Sequence, residues 1–192
     1  IGGWEAAATD LRFFEPALVP GPLQTSGYAR AIFQTFRRVP LLDAEELSES
    51  ALLAAVSARV KRQEVLADES KSFSFLLGEA ALKLRSVAPV EMLTQINHLR
   101  ESADHRGLTI LGIPDDVPAE IPLLHGFTLF DESLVVIDLY STGILSRSRR
   151  VVESYRRVFD GLIGSAVPIG SLLDKYEAYY LDLLQQTRTP SR

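Results

Sequence analysis

EPALVPGPLQTSGYARAIF, residues 15–33, organises the chain around it. Pro16, Pro20, Gly21 and Pro22 crowd into seven residues. Proline lacks a backbone N–H and restricts its predecessor, so neither helix nor central strand runs through such a segment. An ordered, irregular loop is expected. Thr25 or Ser26 then caps a helix reaching about Phe36, because Tyr28, Ile32 and Phe36 recur every four residues on one face.

Upstream, residues 1–10 are small and weakly patterned, and Leu11, Phe13 and Phe14 lead into the loop. Downstream, Asp43 and Glu46 stand at capping-box spacing and open a helix expected to run to about Ala67. On it, Arg59 and Arg62 lie three apart and share a face. SFSFLL at 72–77 and LTILGI at 108–113 read as strands, with a short helix near 80–85 and a longer one from Pro89 to about Ser102 between them. Residues 126–130 and 134–139 form a hairpin around Asp131, Glu132 and Ser133. Helices over about 148–163 and 171–186 close the chain, separated by Gly164 and Gly170. The fold class is therefore expected to be α+β, with a small, mostly antiparallel sheet of about four strands packed with several helices and a helical C-terminus.

A chain of 192 residues with 46% hydrophobic content buries a core of one domain. The formal net charge of -5 draws it toward neither phosphate backbones nor anionic lipid. No cysteine is present, which excludes disulfides, thiolate zinc sites and a cysteine nucleophile, and fits a reducing cytoplasm. No apolar run approaches the length of a membrane span. His98, His105 and His125 have no zinc-ligand spacing, and neither a phosphate-cradling glycine loop nor a G-x-S-x-G elbow occurs. No catalytic residue, metal or cofactor is assigned on these grounds. Glu79 and Asp138 each follow an apolar strand, where a carboxylate either faces a pocket or is solvated. The run SRSRRVVESYRRVF places Arg149, Arg150, Arg156 and Arg157 on a helix, diluted by Glu153 and Asp160 and without interleaved aromatics on that face. It reads as a solvated or salt-bridged face, not a nucleic-acid stripe.

The loop at 15–33, ARVKRQEVL at 58–66, GEAALKLR at 78–85 and the hairpin after Phe127 occur in one order. That combination resembles the actinobacterial domain of unknown function found behind lambda-repressor-like (XRE) helix-turn-helix domains in streptomycete regulators. The motif of that family falls on Glu15, Pro16, Pro20, Gly21, Leu23, Gln24, Thr25, Tyr28, Ala29 and Arg30, and its Arg-x-x-Arg-Gln on Arg59, Arg62 and Gln63. Pro22 stands where leucine is usual, Gly78 and Glu79 replace an Asp-Glu pair, Asp138 replaces a glutamate, and the glycine-rich connection before Phe127 is missing.

The resemblance implies a transcriptional regulator whose DNA-binding domain lies before Ile1. Residues 1–12 are then its linker, 13–186 a single regulatory domain and 187–192 a disordered tail. The expected partner is a small neighbour-encoded protein or a small-molecule ligand, received by Glu15, Gln24, Thr25, Tyr28, Arg30, Arg59, Arg62, Gln63, Glu79 and Asp138. DNA is expected to be bound through the missing N-terminal domain alone, and no membrane contact is expected. The alternatives are a nucleotide-binding or group-transfer enzyme using Glu79 or Asp138, and a homodimerisation module built on the terminal helices.

Overall fold

The computed structural model describes residues 2–36, 48–118, 120–139 and 142–188. Among them are six α-helices and seven strands. In chain order these are α1 (Gly2–Ala7), β1 (Asp10–Glu15), α2 (Ser26–Phe36), α3 (Glu49–Lys61), β2 (Ser72–Gly78), α4 (Pro89–Ala103) and β3 (Leu108–Ile113). There follow β4 (Phe127–Phe130), β5 (Leu134–Asp138), β6 (Gly143–Ser146), α5 (Arg149–Ile163), β7 (Val167–Pro168) and α6 (Gly170–Arg188).

The strands form one mixed sheet in the order β6-β5-β4-β1-β2-β3-β7. β1, β2 and β3 run parallel, while β4, β5, β6 and β7 pair antiparallel to their neighbours. This corrects the expectation of a small, mostly antiparallel sheet of about four strands, although the α+β class stands. Of the three strands missing from that expectation, the decisive one is β1. Its six residues are charged at both ends and abut the proline loop, so their alternation is too short to register, yet the strand lies at the centre of the sheet. Once β1 is present, α2 and α3 carry the chain from β1 to β2, and α4 carries it from β2 to β3. Connections of that length permit parallel pairing, whereas tight turns do not. β6 is an exposed edge strand and β7 only two residues long, so neither has the apolar pattern by which strands are recognised.

Both faces of the sheet are covered. Leu11, Phe13, Phe73, Phe75, Leu77 and Ile110 point to one side and pack against Tyr28 and Ile32 of α2, Met92, Ile96 and Leu99 of α4, and Leu173 and Tyr176 of α6. Phe14, Leu76, Phe127, Leu129, Val135 and Ile137 point to the other and meet Val152, Phe159 and Leu162 of α5. Burial on two sides explains why FTLF and LVVI are buried at every position, with Thr128 the one polar residue among them. The expected hairpin is β4–β5, turned at Asp131 with φ 50°. The carboxylate of Asp131 accepts the Thr9 and Asp10 amides at 3.0 and 2.9 Å, which locks the hairpin to the start of β1.

The expected helix at 43–67 begins, among the described residues, at Glu49 with Ser48 as its cap, the hydroxyl accepting the Ala51 amide at 3.2 Å. Asp43 and Glu46 lie outside the described residues. From Arg62 to Ala67 the helix tightens to 3₁₀ turns. No helix among the described residues is long and apolar enough to cross a membrane.

Candidate functional site

The parallel strands β1, β2 and β3 all finish at one edge of the sheet, where β4 begins and β5 ends. In open sheets with helical crossovers, this is where ligands bind. The proline loop, residues 16–25, leaves β1 at this edge and carries one 3₁₀ turn, Gly21–Leu23. It is an ordered structure held by side chains. The fully buried Tyr28 accepts the Val19 amide on its hydroxyl at 3.0 Å, and the Gln24 amide group donates to the Val19 carbonyl at 2.6 Å. Gln95 of α4 takes the Thr25 amide at 2.7 Å and donates to the Leu23 carbonyl at 2.7 Å. Gln63 donates to the Gln24 carbonyl at 2.5 Å, and the Thr25 hydroxyl accepts the Tyr28 amide at 3.3 Å, capping α2.

Four of the expected site residues, Gln24, Thr25, Tyr28 and Gln63, are therefore spent on building the loop. Gln95 shares that task and was not anticipated, because a buried glutamine on a helix has no sequence signature of its own. Arg30 lies on the surface and pairs with Glu49 at 2.5 Å, linking α2 to α3. Glu79 is buried and saturated: Lys175 and Tyr176 donate at 2.8 and 2.5 Å, the Asp115 amide at 2.8 Å, and Lys83 stands 3.3 Å away. Burial alone would raise its carboxyl, but these donors outweigh burial and bring it to about 2. Arg62 forms a two-pronged ion pair with the buried Glu5 of α1, with Nε to Oε2 at 3.1 Å.

Glu15, Arg59 and Asp138 remain, and they converge. Glu15 is the last residue of β1, and its carboxylate lies against the Cα of Gly126, where a β-carbon would come within 2.5 Å of Oε2. The Gly126 carbonyl in turn accepts the Asp138 amide at 3.1 Å, so the two acids flank one residue of backbone. The guanidinium of Arg59 fills the space over Gly21 that a side chain there would take, and lies 5.3 Å from the centre of the Phe33 ring. Among the described residues, no side chain of the three makes a hydrogen bond or an ion pair.

Their electrostatics reflect this. Burial, with the nearby charge of Asp138, raises the Glu15 carboxyl to about 8 against the opposing pull of Arg59. Burial also raises Asp138, opposed by Arg62 and Arg59, and lowers Arg59. Glu15 and Arg59 are half-buried and Asp138 is exposed at the end of β5, so the cluster reaches the surface. The arrangement offers two carboxyl groups, one of them readily protonated near neutrality, within electrostatic reach of a guanidinium fork. No third metal-ligating side chain joins the two acids among the described residues.

Of the histidines, His125 meets the Tyr155 hydroxyl at 2.8 Å, while the Nε2 of His98 is buried without a partner. A shallow groove of about 320 Å³ lies at the opposite end of the sheet between Trp4, Phe130, Leu134 and Arg147. Its one acid, Asp131, is already occupied by Thr9 and Asp10.

No curated protein and no solved structure matches the chain. The model of one family does match, over residues 1–170, which takes in the loop, both acids and Arg59. The chain belongs to the family described as a domain of unknown function, DUF5753.

Proposed function

We propose that this domain is the regulatory, ligand- or partner-receiving part of a helix-turn-helix transcriptional regulator, and that the cleft of Glu15, Arg59 and Asp138 is its receiving site. The observation that carries the binding reading is the convergence of three unpaired ionisable groups at the carboxyl edge of the parallel strands. Leaving charges without partners costs stability, so such groups gather where a ligand completes them. The regulator context rests on the resemblance of residues 15–33 and 58–66 to domains that follow XRE-type helix-turn-helix segments.

The test is a full-length regulator purified with and without the small protein encoded beside it. Arg59→Ala is expected to abolish co-purification or ligand-induced thermal stabilisation while leaving the circular-dichroism spectrum unchanged. A lone monomer that binds neither partner nor small molecule at micromolar concentration overturns the proposal.

A second reading, a nucleotide-binding or group-transfer enzyme, draws support from Asp138, an ionisable carboxylate beside a protonated one. Glu79 has no part in it, since four donors already occupy its oxygens. Nucleotide turnover lost in Asp138→Asn would establish that activity, and its absence across nucleoside triphosphates would dismiss it. Homodimerisation through α6 draws on its exposed Tyr179 and Leu181 and is decided by sedimentation.

A further inference from the structure

Opposite charges free to move collapse into ion pairs, and Arg59 does not do so with either acid of the cleft. The backbone position of each group is fixed. Glu15 ends β1 and is followed by proline, Asp138 ends β5 paired with Gly143, and Arg59 is packed between Gly21 and Phe33. Other charges and hydroxyls nearby are engaged: Arg62 is neutralised by Glu5, and the Tyr28 hydroxyl holds the Val19 amide. An occupant of this region therefore meets two carboxyl groups and one guanidinium close enough to feel one another's charge, all three side chains without a hydrogen-bond partner among the described residues.

Two carboxylates without a third ligand are a poor set for a divalent cation, which takes six or more oxygens or keeps much of its water. They suit an ammonium, whose three N–H donors divide between them. A guanidinium fork in turn takes a carboxylate or phosphate through two parallel hydrogen bonds. We propose that the cleft between Glu15, Asp138 and Arg59 binds a small zwitterionic molecule, its ammonium between the two acids and its anionic group on Arg59.

This deepens the binding-site reading above and rests on it. It also carries a proton signature. With its carboxyl near 8, Glu15 is mostly protonated in the empty cleft at pH 7. An incoming ammonium takes the place of that proton, so Glu15-COOH and the ligand become an ion pair and one H⁺ leaves. Binding at pH 7 is therefore expected to release up to one proton per site.

The experiment is titration calorimetry of the full chain in PIPES and in imidazole, two buffers of different ionisation enthalpy that carry neither a phosphate nor a primary ammonium. The probes are glycine, β-alanine, γ-aminobutyrate and phosphoethanolamine, which vary the ammonium-to-anion spacing, with acetate, ethylamine, ribose and ribose 5-phosphate as comparison compounds. One spacing is expected to bind at least tenfold more tightly than acetate or ethylamine, with release of nearly one proton. Glu15→Gln should keep the fold, weaken that binding tenfold or more and bring proton release close to zero, and Arg59→Ala should weaken it similarly. Binding of ribose or ribose 5-phosphate with all zwitterions silent overturns the zwitterion while leaving the cleft as a ligand site. Silence of the whole panel overturns the zwitterion too, and a cleft variant that leaves partner capture untouched overturns the site itself.

Discussion

Glu15 closes β1 and Glu79 follows β2, its parallel neighbour, so the two carboxylates leave the sheet at the same edge. Their surroundings differ in one respect. Over Glu79 lies α6, which lowers Lys175 and Tyr176 onto the carboxylate, while the chain after β3 adds the Asp115 amide. After Glu15 comes the proline loop, whose polar side chains Gln24 and Thr25 hold the loop itself, joined by Gln63 and Gln95 from outside it. One acid settles at about 2 and the other at about 8, although both are enclosed by protein. Burial alone fixes neither value. What decides them is whether a donor arrives, and an acid to which none arrives is available for an occupant.

The largest test of this contrast is Glu79→Ala. It strands the Tyr176 hydroxyl and the Asp115 amide, each worth about 1–3 kcal/mol when left buried without a partner. A loss of about 3 kcal/mol, or roughly 9 °C in Tm, is expected at pH 7 by thermal denaturation. Because the folded carboxyl is depressed, its contribution is present above about 4.5 and fades as pH falls toward 2. The gap between variant and wild type should therefore shrink at pH 2.5, and a constant gap would contradict the assignment.

Glu15→Gln should act in the opposite sense. A raised folded value means that the stabilising contribution is present below about 4.5 and is lost as pH climbs through 8. Equal stability is expected at pH 4.5, with the variant more stable by about 2 kcal/mol at pH 8.5 by urea unfolding; the full shift is discounted because water reaches the cleft. A variant less stable at high pH would mean that Glu15 has a stabilising partner.

Gly126→Ala is expected to change stability by less than about 1 kcal/mol, since the atom in its way is the end of a movable side chain. It should push the Glu15 carboxylate away from Asp138 and return its titration, followed by carboxyl carbon NMR, toward the ordinary glutamate range. Lys175→Ala is the smallest change. The lysine is 57% exposed and Glu79 keeps Tyr176 and Asp115, so about 0.5 kcal/mol is expected.

Local pattern made much of this architecture legible. The four-residue recurrence of Tyr28 and Ile32, the proline opening α4 and the apolar stripe of α5 are all read within a few turns of helix, and α2, α4 and α5 lie where these signals put them. The β4–β5 hairpin followed from Asp131, Glu132 and Ser133 between two apolar runs. DLRFFE was too short and too charged to announce the central strand, and without it the parallel half of the sheet was lost. Among the candidate residues, Glu15, Arg59 and Asp138 do gather in one place. Glu79, Gln24, Thr25, Tyr28 and Gln63 are engaged in holding the fold, and Arg30 faces solvent beside Glu49.

The sequence by itself determined the irregular loop, the helices that flank it and the polar residues available to a site, because proline geometry and helical periodicity act over neighbouring residues. Tertiary structure alone decided which polar residues are free. Two of the donors that quench Glu79, Lys175 and Tyr176, come from 96 and 97 residues away, at a distance no spacing rule spans. Glu15 and Asp138 meet only because β4 and β5 fold back beside β1 and bring Gly126 between them.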